Sequence, residues 1–330
     1  MRTFKWILGI LLLAGGVLLC TIRWQAWFGN PVEPVYEGDT LTYRFWCFGS
    51  DSVPSFQLSS DGWHDLTDSD TLRIVVFGDI HNQVDSIQYA SIWNRHKNID
   101  CYAQLGDWME RSYFYYEQHL YHQINQTGWE NVPVINCPGN HEYRKGIRRT
   151  LPEQWYRMFH HPLNGPDRFL GTTYYVDFPR LRFIVIDSNG LQRLSDFTIV
   201  QTWLARAIYG AGNRYTAVMM HHPVYSSGKG RFNPGMWLFF HTVLRKADVV
   251  FAGHDHCYAR RGHFINTNSS NKNYKRKHYS PISSKHTYNL YEVMDITNDE
   301  LRVKTYSMLD SVLVDEWVVN RPIIEEERSE

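Results

Sequence analysis

An α/β fold is predicted for this chain, and three observations predict it. From Thr71 onward, short β-branched or apolar runs alternate with longer helix-like segments. Those runs are apolar at nearly every position, as strands buried on both faces must be. Five of them close in Asp, Asn or His, whereas ordinary turns favour Ser, Pro and Asp with little His. The 330 residues, 43% hydrophobic and 15% aromatic, suffice for one large globular body or two small ones.

The elements follow in order along the chain. "MRTFK" is basic, and Trp6–Ile22 is a run of mostly apolar residues ending at Arg23. Its length lies between a signal-peptide core and a membrane span of about 20 residues. Arg2 and Lys5 would hold the N-terminus in the cytoplasm. No small-x-small cleavage site follows, so residues 1–23 are expected to form an uncleaved hydrophobic anchor helix, with the body exported and membrane-attached. Leu19 stands where a lipoprotein signal has a small residue, which argues against lipidation of Cys20.

Residues 24–71 form a stub, with strand-like "TLTYRFWCF" and turn-rich "GSDSVPSFQLSSDG". It is too short for a domain and is expected to pack on the body, residues 72–312. There the strand-like runs are "LRIVVFGD", "CYAQLGD", "VPVINCPGN", "LRFIVIDSN", "YTAVMMHHP" and "ADVVFAGHD". Helix-like segments between them include "VDSIQYASIWNRHKN" and "SDFTIVQTWLARAIYG". Residues 265–286 are polar and aperiodic, a flexible surface loop in which Lys275-Arg276-Lys277 reads as a solvated charge run. "YNLYEVMDIT" and "LRVKTYSML" are closing strands, and 313–330 is a C-terminal tail ending in acidic "IIEEERSE".

Composition excludes several functions. With 34 basic and 34 acidic side chains the net charge is zero, so the footprint of a nucleic-acid binder is missing. Five cysteines contain no CxxC pair, which removes zinc ribbons and thioredoxin-type redox motifs. In an exported body Cys47, Cys101, Cys137 and Cys257 would be free to pair, with partners left open. "NQT" at Asn125 and "NSS" at Asn268 are glycosylation acceptors only in a eukaryotic secretory pathway.

The strand ends carry the chemistry. After "RIVVF" comes Gly78-Asp79-Ile80-His81; after "CYAQL", Gly106-Asp107; after "VPVINCP", Gly139-Asn140-His141-Glu142. After "YTAVMM" comes His221-His222-Pro223, and after "DVVFA", Gly253-His254-Asp255-His256. In α/β sheets ligands bind beyond the carboxyl ends of the strands, so these clusters should share one rim. Glycine before the ligand is expected to let the chain turn as each strand ends. One such histidine is ordinarily a hydrogen-bonded structural residue. Two Asp, one Asn and at least four His together are the donor mixture of a Mn, Fe or Zn site. His160-His161-Pro162 follows helix-like "PEQWYRMF" and is left out, and "HEYRK" lacks the second His of a zinc-protease helix.

GDIH, GDWME, GNHE, MMHHP and GHDH, in that order, resemble the five blocks of the calcineurin-like metallophosphoesterases, over roughly residues 72–310. "NGPDRFLGTTYYVDFPRLRFIVIDSN" and "GHDHCYAR" are most similar to the purple acid phosphatase branch. The resemblance implies a four-layer α/β/β/α sandwich holding two divalent metal ions. It implies Asp79, His81 and His256 on the first ion, Asn140, His221 and His254 on the second, and Asp107 bridging both. His221 matches the family ligand because it lies two residues before the proline. His222 is then free to reach a phosphate oxygen or to pack structurally. His141 matches a non-ligand histidine, a candidate general acid or phosphate contact.

The implied activity is hydrolysis of a phosphate ester, by in-line attack of a hydroxide bridging two ions about 3.5–4 Å apart. A carboxylate suits the bridge because its oxygens can address both ions. Asn140, being neutral, leaves positive charge for the phosphate dianion. A phosphomonoesterase is expected first, with a phosphodiesterase of the same fold as the alternative. A catalytically inactive, membrane-anchored binding module would have lost some ligands, and none is lost. A nuclease has only the basic 272–278 stretch in its favour.

One position departs from the pattern. Purple acid phosphatases place a ferric-ligating Tyr three residues after the bridging Asp, and here that residue is Glu110. A colourless or weakly coloured Mn, Fe(II) or Zn enzyme is therefore expected. Glu110-Arg111 resembles the acid and arginine of the GDxxDRG block of Ser/Thr protein phosphatases, with Ser112 in place of the last Gly. Arg111 is either a bidentate phosphate clamp or a surface partner of Glu110.

Overall fold

Parallel strands covered on both faces need apolar side chains pointing both ways, and the central strands of this chain are buried at every residue. A computed structural model describes residues 35–37, 40–42, 56–57, 70–81, 91–92, 94–96, 98–108, 110, 134–144, 149–152, 155–156, 159–275 and 287–321. Its strands are β1 (Val35–Glu37), β2 (Thr40–Thr42), β3 (Phe56–Gln57), β4 (Leu72–Phe77), β5 (Cys101–Gln104), β6 (Val134–Asn136), β7 (Phe159–His160) and β8 (Tyr174–Asp177). They continue with β9 (Leu181–Ile186), β10 (Tyr215–Met220), β11 (Val249–Ala252), β12 (Ala259–Arg261), β13 (Phe264–Asn266), β14 (Leu290–Ile296), β15 (Glu300–Ser307) and β16 (Leu313–Asn320). Two helices are α1 (Leu194–Tyr209) and α2 (Pro234–Leu244).

Twelve of these strands make two six-stranded sheets, ordered β12-β13-β11-β10-β9-β8 and β16-β15-β14-β4-β5-β6. Within the first, β9, β10, β11 and β13 run parallel; within the second, β4, β5 and β6 do. Period-2 alternation sorts their side chains. Leu72, Ile74 and Val76 of β4 meet Phe183, Val185, Ala217, Met219 and Phe251 between the sheets. On the far face of the first sheet, Ile184, Ile186, Val218 and Met220 pack on Val200 and Leu204 of α1 and on Met236 and Phe240 of α2. On the far face of the second, Val75, Phe77 and Tyr102 pack with Ile92, Trp108, Trp155 and Tyr156. The helices and the two sheets supply three layers. Residues 91–92, 94–95 and 155–156 are helical on the remaining face.

Each of the six strand-like runs read in the sequence contains a strand, and α1 spans 194–209 where "SDFTIVQTWLARAIYG" predicts it. α2 starts where Asn233 accepts a hydrogen bond from Met236 N at 3.2 Å with Pro234 in the first turn.

Two boundaries move. Residues 313–320, read as the start of a tail, are β16, paired antiparallel with β15 and packing Val314, Trp317 and Val319 on the core. Its burial is partial throughout, as at a sheet edge, so the sequence lacks the continuous apolar run that marks a central strand. Residues 265–270, read as part of a flexible loop, are buried. Their polar groups are consumed internally: Ser269 Oγ donates to Leu290 O at 2.7 Å and accepts from Gly78 N at 3.0 Å. Asn268 is fully buried, and its amide donates to Lys272 O at 2.6 Å, so this sequon is closed to glycosylation.

Cys101 and Cys137 are buried free thiols, and Cys257 is likewise buried. Residues 1–23, Cys47, Asn125 and residues 276–286 lie outside the described residues. Among the described residues no helix is long and apolar enough to cross a membrane.

Candidate metal centre

β4, β5, β6, β10 and β11 end side by side across the two sheets, and the tips of β4, β5 and β11 turn in the same way. Asp79, His81, Asp107, His254 and His256 have φ of 55°, 54°, 55°, 68° and 47°. Left-handed backbone at non-glycine residues costs about 1–2 kcal/mol each, less for Asp and His than for most, and clusters at functional sites. The ligand-type residues therefore make the turns themselves. Of their glycines only Gly106 has positive φ, 87°.

Gly139 and Gly253 are needed for close approach instead. A Cβ on Gly139 would lie 2.2 Å from Asp107 N and Oδ1, and one on Gly253 would lie 2.5 Å from Asp79 Oδ2. The expectation that glycine supplies the turn holds at Gly106, while at Gly139 and Gly253 glycine instead leaves room for a carboxylate.

Asp79, His81, Asp107 and His256 converge, all buried. His81 Nε2 lies 3.1 Å from His256 Nε2, 3.7 Å from Asp107 Oδ2 and 4.0 Å from Asp79 Oδ1. His256 Nε2 is 3.6 Å from Asp79 Oδ1. A second group shares Asp107, whose Oδ2 is 3.3 Å from His221 Nε2. His221 Nε2 in turn faces His254 Nδ1 at 3.2 Å and Asn140 Oδ1 at 3.3 Å. Donor atoms held about 2.0–2.2 Å from one ion stand about 3–3.6 Å from one another, so both groups have the span of a metal shell. Asp79 Oδ1, fully buried, has no hydrogen-bond partner, the state of an oxygen reserved for a cation.

The electrostatics of three imidazoles and of Asp107 agree with that role. Burial holds His81 and His256 down at about 3 and His254 well below its ordinary range, so these imidazoles are neutral donors. Burial pushes Asp79 up to about 8. For Asp107 burial acts upward, but the charge and hydrogen bond of His221 outweigh it and hold the carboxyl well below the usual range. His221 answers with a rise to about 9, burial opposing and Asp107 prevailing.

Outer contacts orient the rings. His221 Nδ1 donates to Leu105 O at 2.9 Å, leaving Nε2 as the donor atom for the site. Glu110, the departure from the Tyr pattern, places Oε2 3.2 Å from His81 Nδ1 and 2.7 Å from Lys272 Nζ. A carboxylate thus sits behind the ring at ion-pair distance, while Nε2 faces the donor group. Glu142 accepts from Asp107 N at 2.8 Å and Gly139 N at 2.6 Å, tying two strand tips together.

His141 donates through Nδ1 to Glu110 O, and its Nε2 lies 3.9 Å from Asp107 Oδ2. His222 stays at the rim, Nδ1 3.0 Å from Ser188 Oγ and its ring 4.3 Å from that of His254. The structure so brings together all seven sequence-predicted ligands, with His141 and His222 beside them. Arg111 lies outside the described residues. His161 packs elsewhere, bonded to Gly171 O at 3.0 Å and stacked on Tyr174, consistent with its exclusion.

Sequence reasoning missed Glu142, Ser188, Arg231 and Lys272. Arg231 Nη1 donates to His254 O at 2.6 Å and stands 3.0 Å from His254 Nε2. Glu142 and Ser188 lay inside recognised motifs without being singled out; Arg231 and Lys272 sit in loops where polar residues carry no pattern.

The family model for calcineurin-like phosphoesterases matches residues 72–258, the stretch that holds every one of these strand tips. The chain belongs to that family. A purple acid phosphatase of Glycine max is 27% identical over 246 residues, covering 72% of this chain and 47% of the relative. The solved structure of purple acid phosphatase PPD1 from yellow lupin (Lupinus luteus) seeds shares the fold with a TM-score of 0.58 at 15% identity. That match covers 76% of this chain and 54% of the lupin protein. The chain thus spans about half the length of both. In this calcineurin-like phosphoesterase the five strand-tip motifs read in the sequence fall inside the matched region.

Proposed function

We propose that the chain is a metal-dependent hydrolase of phosphate esters, foremost monoesters, working with two divalent ions. Asp79, His81 and His256 would hold one ion, Asn140, His221 and His254 the other, with Asp107 between them. The observation that carries this reading is the position of Asp107 Oδ2, 3.7 Å from His81 Nε2 and 3.3 Å from His221 Nε2, common to both donor groups. Two such ions supply Lewis acidity and an activated water for in-line displacement at phosphorus. Mn, Fe(II) or Zn suits a donor set of imidazole, carboxylate and amide that lacks a phenolate. Export and membrane attachment through residues 1–23 belong to the same proposal, resting on the basic flank and apolar run. Recovery of the full chain from the soluble fraction would overturn that part.

The surrounding residues then take definite tasks. The Glu110 carbonyl can only accept, so it keeps a proton on His141 Nδ1. A proton on Nε2 therefore makes His141 an imidazolium, with Asp107 Oδ2 3.9 Å from that nitrogen. In that form His141 donates to the leaving oxygen. His222, fixed by Ser188, presents Nε2 toward a phosphate oxygen.

Matched aryl mono- and diesters assayed on the metal-loaded full chain test the reading. The monoester should be preferred, and Asp107→Asn should silence both. His141→Ala should lower turnover of poor leaving groups by about 10²–10⁴ with metal content intact. Unchanged turnover in that variant would remove the acid role, and diester preference would favour the phosphodiesterase.

A further inference from the structure

Next to the metal centre is a cavity of about 290 Å³ lined by Lys229, Arg231, Tyr274 and Lys275. Three of its four lining side chains are cationic. Among the described residues none of the three is paired with a carboxylate, although the chain as a whole carries no net charge. The buried Asp255 and Asp79 feel only Arg231 of the three, so the like charges still repel, and such a cluster is stable only if something else holds it.

Two loops hold it. The segment after β10 turns at Ser227-Gly228, where both backbone N–H groups donate to Asp255 Oδ2, at 2.5 and 2.8 Å. Asp255 is the buried middle residue of "GHDH" and ligates nothing in either donor group. It is thereby a positioning residue, fixing the turn that projects Lys229 and Arg231. The segment after β13 carries Tyr274 and Lys275. The two segments join where Lys229 N donates to Lys275 O at 2.9 Å. Arg231 lies over the Tyr274 ring at 4.5 Å, and that ring is 4.6 Å from His256. The cavity is therefore contiguous with both donor groups, through Arg231 to His254 and through Tyr274 to His256.

We infer that this cavity binds a second phosphoryl group, carried by the substrate beside the one presented to the metal centre. A lone phosphate at the ions would not need three further cations one residue away. A substrate with a second phosphate dianion would: Arg231 offers a planar fork and the two lysines offer point charges. The favoured substrates are then phosphoanhydrides or doubly phosphorylated esters rather than esters of neutral alcohols. The catalytic half of this inference rests on the phosphoesterase reading; the binding half does not.

The test is calorimetric binding of pyrophosphate and of orthophosphate to the metal-loaded full chain. Both lysines are exposed, so Lys229→Met/Lys275→Met should fold normally. The wild type should bind pyrophosphate at least about tenfold tighter than orthophosphate, and the double variant should lower that ratio about tenfold. Lys246→Met/Lys304→Met removes the same charge elsewhere and should leave the ratio alone. A hexose bisphosphate in place of pyrophosphate tells doubly phosphorylated esters from anhydrides. An unchanged ratio in the first variant, or an equal fall in the second, overturns the cavity. If no ester is turned over, the phosphoesterase reading falls while the binding ratio still decides this inference.

Discussion

The floor of the site and its rim are built by opposite means. On the floor, Asp79, His81, Asp107, His221 and His256 are buried, four strand tips carry them, and all but His221 have left-handed backbone. On the rim, Lys229, Arg231, Tyr274 and Lys275 come from loops and remain partly or fully exposed. The floor stores conformational strain and unpaired buried oxygen, which a cation would relieve. The rim stores uncompensated positive charge, which an anion would relieve. The difference separates what the family shares, a place for metal, from what the individual chain adds, a choice of substrate.

Three substitutions grade that contrast. The largest effect should come from Gly139→Ala, because its methyl carbon meets Asp107 N and Oδ1 at 2.2 Å. The tip must shift, and overpacking of about 1–3 kcal/mol should appear in thermal unfolding together with loss of metal. A variant that keeps both ions would show the floor to be more pliable than its geometry implies.

Glu110→Gln comes next. It removes the charge behind His81 Nδ1 while keeping the side-chain shape, and metal affinity should fall about 10–100-fold. An unaltered affinity would place Glu110 with the rim rather than with the floor. Smallest is Lys272→Met, which breaks a half-exposed ion pair and should weaken metal binding by no more than about fivefold. A larger loss would mean that the boundary between floor and rim lies farther out.

The same boundary separates what was legible in the sequence from what was not. Asp79, His81, Asp107, Asn140, His221, His254 and His256 lie in clusters that end apolar runs, so strand periodicity and residue type located the clusters, and the family resemblance picked these seven from them. Core strands β4, β9 and β10 were legible for the same reason, being apolar on both faces. β16 was not, because an edge strand exposed on one side mixes Asp, Glu and Val without a clean period. Residues 266–270 were misread because Asn, Thr and Ser look like solvent-facing loop until their bonds to Gly78, Leu290 and Lys272 are known. The backing of His81 by Glu110 needs a distance, and no spacing rule supplies it. Asp255 illustrates the limit: the motif named it as the residue between two ligands, and only the structure shows that it fixes the Ser227-Gly228 turn.

The central claim is that Asp107 is shared by two metal shells. Its most direct test is the metal content of the purified, reconstituted full chain, measured beside Asp107→Asn. The account predicts two ions per wild-type chain, and one or none in a variant that is still folded by circular dichroism. Two ions retained in Asp107→Asn, or a folded wild type that takes up no stoichiometric metal, would contradict it.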